Sequence, residues 1–358
     1  MWKKIFFALS LIVGLGLFVY IIRKQGGFGK ALEAVAAIGM GGVGIFILIA
    51  AGTLVFPGIG WWILMRSEGI RVSPWTTLKA NFMGFPINFI APSMYLGAEP
   101  LKTFYIAHVS GEPKRKVLAT IIVSKFQEVG ALLFTMIGAC AIAIWRIDFT
   151  RREKAVLTGS MVVLLVFFTV AVYAFVGNLQ PTVKVINLLA RFFKKGRRKL
   201  ARARTRAEEM EHLIRAAFTK RWKTFLTAQA VTLLSSVSIL FRPWIYFIFS
   251  KEHRYLGVEY MCAIYLVTNL VNMLPHTPGG LGIMETFMVG LFSLARMGAD
   301  NGAAYQICGR AADIVLILFG GWLIFHYNLQ AMARRVAKGE EQVRLEDAEG
   351  AREEPKKG

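Results

Sequence analysis

The sequence predicts an all-α fold: a polytopic membrane protein with six spans and two re-entrant, broken-helix hairpins, arranged as an inverted repeat. Three observations predict it. Hydrophobic residues fill 55% of the 358 positions and gather in runs near 20 residues, the length an α-helix needs to cross a hydrocarbon core of ~30 Å. The basic residues, 43 Lys and Arg against 22 Asp and Glu, cluster between those runs, as they do in cytoplasmic loops. Two stretches of prolines, glycines and a carboxylate interrupt apolar sequence, and they recur in the same order in the two halves of the chain.

The first apolar run, 5–22, follows Met1-Trp-Lys-Lys and leads into Arg23-Lys24-Gln25 without a small-residue cleavage motif. It reads as a retained span that starts inside. Residues 26–42 are glycine-rich with one amphipathic turn and read as an outer-face segment. The second span covers about 43–65, and Arg66, Arg71 and Lys79 mark a cytoplasmic connection. Residues 80–91 are apolar but carry Gly84, Pro86 and Asn88, and Pro92 follows at once. Twelve helical residues reach only ~18 Å, well short of the core. A second short arm, 101–108, returns to the basic Lys114-Arg115-Lys116. A segment that leaves a basic side, fails to cross and comes back to a basic side is a re-entrant hairpin.

Residues 117–145 form a long span bearing Lys125 and Glu128, and 155–176 form another. Between 177 and 223 stand 14 Lys or Arg and 3 Glu. This stretch reads as a basic cytoplasmic loop whose partner is the anionic headgroup layer, at ~1 kcal/mol per basic residue near the surface, and not nucleic acid. Residues 225–249 span outward, and the second hairpin follows as 258–274 and 283–294. The last span is about 303–327, with Arg334, Arg335 and Lys338 holding the tail inside. Residues 339–358 mix both charges with little apolar content and are expected to be disordered. Residues 1–338 thus make one transmembrane domain: repeat 1 at about 43–145, the connecting span 155–176, the basic loop 177–223 and repeat 2 at about 224–329. The expected place is the inner (plasma) membrane, with both termini cytoplasmic.

The second interruption runs from Asn272 through Pro275, His276, Pro278, Gly279, Gly280 and Gly282 to Glu285. Prolines cannot continue a helix, and glycines permit backbone angles other residues avoid. The first interruption offers Asn88, Pro92, Gly97 and Glu99 in the same order. Downstream, Lys125-x-x-Glu128 is matched by Arg310-x-x-Asp313. Charge assigns the two halves opposite orientations, and inverted repeats with paired broken helices place a substrate site near the bilayer midplane. In a competing topology, 258–274 and 283–297 are full spans; they reach ~25 and ~22 Å, lengths that a locally thinned bilayer accommodates.

A charge at the centre of a membrane helix costs at least ~2.5–3.5 kcal/mol on insertion scales. Lys125 with Glu128, and Arg310 with Asp313, sit at i, i+3, where they can pair. One reading is structural, two buried pairs that hold helices in register. The other is functional: Lys125 and Arg310 meet a lipid phosphate while the carboxylates orient them. Glu99 and Glu285 stand at the start of hairpin arms, where a carboxylate caps a helix or couples a cation. Asn88 and Asn272 satisfy broken backbone. Cys140, Cys262 and Cys308 lie in apolar segments and imply neither a metal site nor a disulfide, and no cofactor is expected.

The run Pro275-His-Thr-Pro278-Gly279-Gly280-Leu-Gly282-Ile-Met-Glu285, with Asn272 before it and Arg310-x-x-Asp313 after it, resembles the flippase-like integral membrane family related to the lysylphosphatidylglycerol synthase transmembrane region. The first half departs from the family pattern. It has Ala98-Glu99-Pro100 where a Gly-Gly pair is common, and Lys102 and Lys125 where Arg is usual. The resemblance implies a lipid translocator with no enzymatic activity. Its cargo would be an anionic phospholipid, an aminoacylated lipid or a lipid-linked intermediate moving between leaflets. The alternatives are a membrane-embedded enzyme or glycosyl-transfer accessory acting on a polyprenyl-phosphate lipid, and a non-catalytic scaffold that recruits pathway enzymes. The substrate-binding set expected on this reading is Asn88, Glu99, Lys125, Glu128, Asn272, Pro275, Pro278, Gly279, Gly280, Gly282, Glu285, Arg310 and Asp313.

Overall fold

The computed structural model describes residues 19–20, 23, 27–90, 97–192, 197–250, 256–273 and 277–327. Most of the expected first span, Pro92, Pro275, His276 and the charged tail lie outside the described residues, as does the side chain of Pro278. Among the described residues all regular structure is helical, and five helices are long and apolar enough to cross a membrane: Ala36–Ser67, Lys114–Arg146, Arg151–Val176, Trp222–Phe249 and Ala299–His326. They coincide with five of the spans expected from sequence, each starting three to seven residues earlier.

The chain begins with α1 (Gly27–Ser67), broken at Gly39, whose φ of 69° is not helical. The glycine-rich stretch expected as a separate outer segment is therefore the lower arm of this kinked helix, because one left-handed glycine redirects a helix without ending it. Two short helices follow, α2 (Pro74–Ile90) and α3 (Glu99–Ser110). The long α4 (Lys114–Arg146) and α5 (Arg151–Val176) come next. A capping box at Thr150 and Glu153 fixes where α5 starts. Met161 is its one buried residue, while Val163, Phe167, Val170 and Tyr173 stand exposed. A helix apolar on every face with so little protein around it has lipid as its solvent.

The basic segment is not a loop. It folds as α6 (Pro181–Phe192) and α7 (Arg197–Thr219), because its Arg, Lys, Ala, Leu and Glu content strongly favours helix. Ile214 and Ala217 of α7 bury against Leu64, Ala119, Val123 and Ala228. Glu211 accepts the Thr182 backbone N–H at 2.6 Å, and Arg115 pairs with Glu209 at 2.8 Å. Arg221 pairs with the buried Glu68 carboxylate. These contacts dock the basic helices where α1 ends and α4 and α8 begin.

The second half consists of α8 (Trp222–Leu240), the short α9 (Arg242–Phe249), α10 (Val258–Asn272), a 3-10 turn at Pro278–Gly280, α11 (Ile283–Leu294) and α12 (Ala299–His326). α1 packs along α8, and α12 packs against α1, α2 and α11. The α2–α12 contact includes the edge-on ring pair Phe82–Phe319 and one close approach to backbone. Pro86 carries no N–H, so the Phe82 carbonyl one turn earlier loses its usual helical donor. Gly320 of α12 sits on that carbonyl, where a Cβ would collide with it and with the Pro86 ring. Helices α2, α3, α10 and α11 hold 17, 12, 15 and 12 residues, about 25, 18, 22 and 18 Å at 1.5 Å per residue.

Candidate functional site

The ionised groups of each half are built on the same plan. In the first half α3 opens at Glu99. Its Oε2 accepts the Gly97 N–H at 2.7 Å, and its Oε1 lies 3.8 Å from Lys125 Nζ. Lys125 in turn donates to Glu128 Oε2 at 2.7 Å. In the second half α11 opens two residues before Glu285. That carboxylate accepts the Gly282 N–H at 2.7 Å through Oε2 and Arg310 Nε at 2.8 Å through Oε1. Each carboxylate thus caps the start of a short helix and turns its second oxygen toward a cation on a long one. The sequence expectation paired Arg310 with Asp313. That pair is present at 3.9 Å, and Glu285 is the closer partner, because the start of α11 brings its carboxylate in line with the Nε–H.

The second interruption turns on glycine. Gly279, Gly280 and Gly282 have φ of 62°, 65° and 79°, values that cost an L-residue roughly 1–2 kcal/mol. The turn is closed by Gly280 N–H to Thr277 O at 2.7 Å, and its Gly279 carbonyl accepts Arg310 Nη1 at 2.5 Å. A Cβ at Gly279 would strike the ring of Phe89, and that ring also lies 5.9 Å from the Arg310 guanidinium. The end of α2 and the broken turn of the other half therefore touch. Across the first interruption, Asn88 Oδ1 accepts the Ala98 N–H at 2.9 Å.

These elements surround a cavity of about 350 Å³ walled by helices of both halves. Asn88, Lys125, Glu128, Asn272, Gly279, Arg310 and Asp313 line it, and Glu99 and Glu285 stand directly behind the lining. Gly280 and Gly282 shape the turn without reaching the cavity. The lining also includes residues that sequence reasoning did not select: Asn81, Lys102, Arg242, Gln306 and the hydroxyls of Thr232, Ser235 and Ser236. Lys102 donates to Asn81 Oδ1 at 2.7 Å, and Asn81 Nδ2 donates to the Leu54 carbonyl at 3.0 Å. That chain ties α3 through α2 to α1. The signal for Lys102 and Arg242 was present as a cation inside an apolar run. Arg242 was passed over because the run from 225 to 249 reads as an ordinary span. Among the described residues no group of three or more His, Cys, Asp or Glu could hold a metal ion.

Comparison with known proteins gives a membrane-protein family. The family model described as the lysylphosphatidylglycerol synthase transmembrane region matches residues 7–321. Two proteins of Methanothermobacter thermautotrophicus, each described as a UPF0104 membrane protein, are 24% identical to this chain. One match covers 76% of this chain and 79% of the relative, and the other covers 83% and 86%. A UPF0104 membrane protein of Methanocaldococcus jannaschii is 21% identical over 74% of this chain and 77% of its own length. No solved structure matches the chain.

Proposed function

The chain belongs to the family of the lysylphosphatidylglycerol synthase transmembrane region, and from that premise we propose that it is a flippase-like translocator in the inner (plasma) membrane. It moves an anionic phospholipid, an aminoacylated lipid or a lipid-linked intermediate between leaflets. One observation carries the reading: a charged cavity of about 350 Å³, walled by both halves, within helices whose outer faces are apolar. An ionised headgroup crossing hydrocarbon unaided loses its hydration, at several kcal/mol or more. A cavity lined by Lys125, Arg310, Asn88 and Asn272 replaces part of that hydration. The volume suits a headgroup while acyl chains stay in lipid, since ligand pockets of ~300–1,000 Å³ enclose small molecules.

In this reading α2 with α3, and α10 with α11, are two re-entrant hairpins of an inverted repeat within one transmembrane unit, and six spans surround them. The matched Gly97–Glu99–Lys125–Glu128 and Gly282–Glu285–Arg310–Asp313 arrangements support it, as does the shortness of the four helices. Both termini and the basic helices α6 and α7 face the cytoplasm, where the positive residues gather anionic lipid.

The test uses the full-length protein in liposomes carrying a fluorescent phosphatidylglycerol analogue. The protein accelerates exposure of inner-leaflet lipid, and Arg310→Ala lowers that rate at least tenfold with the helical content retained. No acceleration over protein-free liposomes would overturn the proposal. A change in lipid mass would identify an enzyme. Absence of movement, with in vivo function that tolerates Arg310→Ala and fails on deletion of 177–223, would identify a scaffold.

A further inference from the structure

Arg242 stands at the bend where α8 ends at Leu240 and Pro243 occupies the first turn of α9. Its guanidinium lies 5.3 Å from the ring centroid of Phe46 and 5.9 Å from that of Tyr305, the range over which an aromatic face attracts a cation. Both rings are themselves held. Phe46 is fully buried, and Tyr305 stacks on Phe292 at 5.6 Å and meets Tyr246 edge-on at 5.7 Å. On the far side the guanidinium abuts Gly309, where any Cβ would collide with Nη2. Packing alone therefore fixes the position of this head group. Its hydrogen-bonding capacity is left over.

That surplus separates Arg242 from the other cavity cations. Lys125 is engaged by Glu128, Arg310 by Glu285 and the Gly279 carbonyl, and Lys102 by Asn81. Arg242 has five N–H donors, its Nε is buried without a hydrogen-bond partner, and none of the ion pairs among the described residues includes it. Arg310, next in sequence to Gly309, keeps Nη2 buried and unpartnered as well. Four cations and four carboxylates in and behind the cavity cancel formally, so net charge decides nothing here. The uneven pairing does. Two arginines from different helices line one cavity, each keeps a buried donor that meets no acceptor, and such a donor is costly.

We propose that Arg242, together with Arg310, binds a phosphate oxyanion inside the cavity. Donors arriving from two helices suit a tetrahedral anion with several acceptor oxygens, whereas one guanidinium fork already satisfies a planar carboxylate. The assignment rests on the translocator reading for its route of entry and deepens it by naming the group that is gripped. The phosphate could belong to a lipid headgroup or arrive from solution.

The experiment measures equilibrium binding and needs no transport. Full-length protein in uncharged detergent micelles is titrated with phosphatidylglycerol, with an uncharged diglucosyl diacylglycerol, and with inorganic phosphate as competitor. The wild type retains phosphatidylglycerol at least tenfold better than the glycolipid. Arg242→Gln removes that preference, Arg242→Lys keeps part of it, and Gly309→Ala weakens binding several-fold by displacing a guanidinium that is still present. Should Arg242→Gln fail to fold, the Lys and Gly309→Ala variants carry the test. Displacement by millimolar inorganic phosphate makes the site open to soluble phosphate, and resistance to it makes the site specific for the lipid-borne group; both outcomes support the assignment. Equal retention of the two lipids by the wild type overturns it, as does undiminished phosphatidylglycerol binding in the variants. Binding through Arg242 without transbilayer movement would sink the translocator and leave the phosphate site standing, and movement with equal retention of the two lipids would do the reverse.

Discussion

Glu285 serves two purposes with two oxygens, and their separation is a prediction. Oε2 holds the Gly282 N–H and so fixes where α11 begins; Oε1 neutralises Arg310. Their side chains are 2% and 12% exposed, so the pair is buried, and removing one member of such a pair costs about 3–5 kcal/mol. Glu285→Gln keeps an acceptor for Gly282 and loses the charge. The expected result is a clearly lowered unfolding midpoint in micelles with near-native helical content, measured by circular dichroism. An unchanged midpoint would mean that Arg310 does not depend on this carboxylate. The two charges were legible in sequence, since ionised residues in an apolar run stand out. The closer partner was not: i, i+3 spacing offered Asp313, which does pair at 3.9 Å, and only the turn after Gly279 brings Glu285 from another helix to 2.8 Å.

At the scale of elements, the crossing of α2 and α12 joins one half of the chain to the other. At that crossing Gly320 sits on the Phe82 carbonyl beside Pro86. Gly320→Leu is expected to destabilise the protein by roughly 1–3 kcal/mol, the usual range for forcing bulk into a packed contact. It should also slow lipid movement, because α2 carries Asn88 and α12 carries Arg310. Gly321 has open space around it, so Gly321→Leu provides the control on the same helix. Equal effects from the two substitutions would contradict the packing argument. Sequence reasoning placed the long helices well and mistook the basic segment for a loop. Its charge pattern is a strong orientation signal, but the helical spacing of Ile214 and Ala217 acquires meaning only against the partners they bury against.

For the whole molecule, the decisive question is which side each hairpin opens to. With Cys140, Cys262 and Cys308 replaced by alanine, single cysteines report it through a membrane-impermeant maleimide. Ser73→Cys and His108→Cys flank α2 and α3 and should label from one face; Val258→Cys and Asp300→Cys flank α10 and α11 and should label from the other. Labelling of Ser73→Cys and His108→Cys from opposite faces removes the hairpin, and with it the inverted repeat.

The sequence by itself determined that this is an all-helical membrane protein, where five of its long spans fall, and where the shorter helices break. Those properties follow from local composition: apolar length, and clusters of proline and glycine dense enough to end a helix. What only the tertiary structure decided is who faces whom. Arg242 and Lys102 join the cavity because helices distant in sequence pack around them, and Glu285 outcompetes Asp313 for Arg310 because hydrogen-bond direction, which spacing along a chain does not encode, selects the partner.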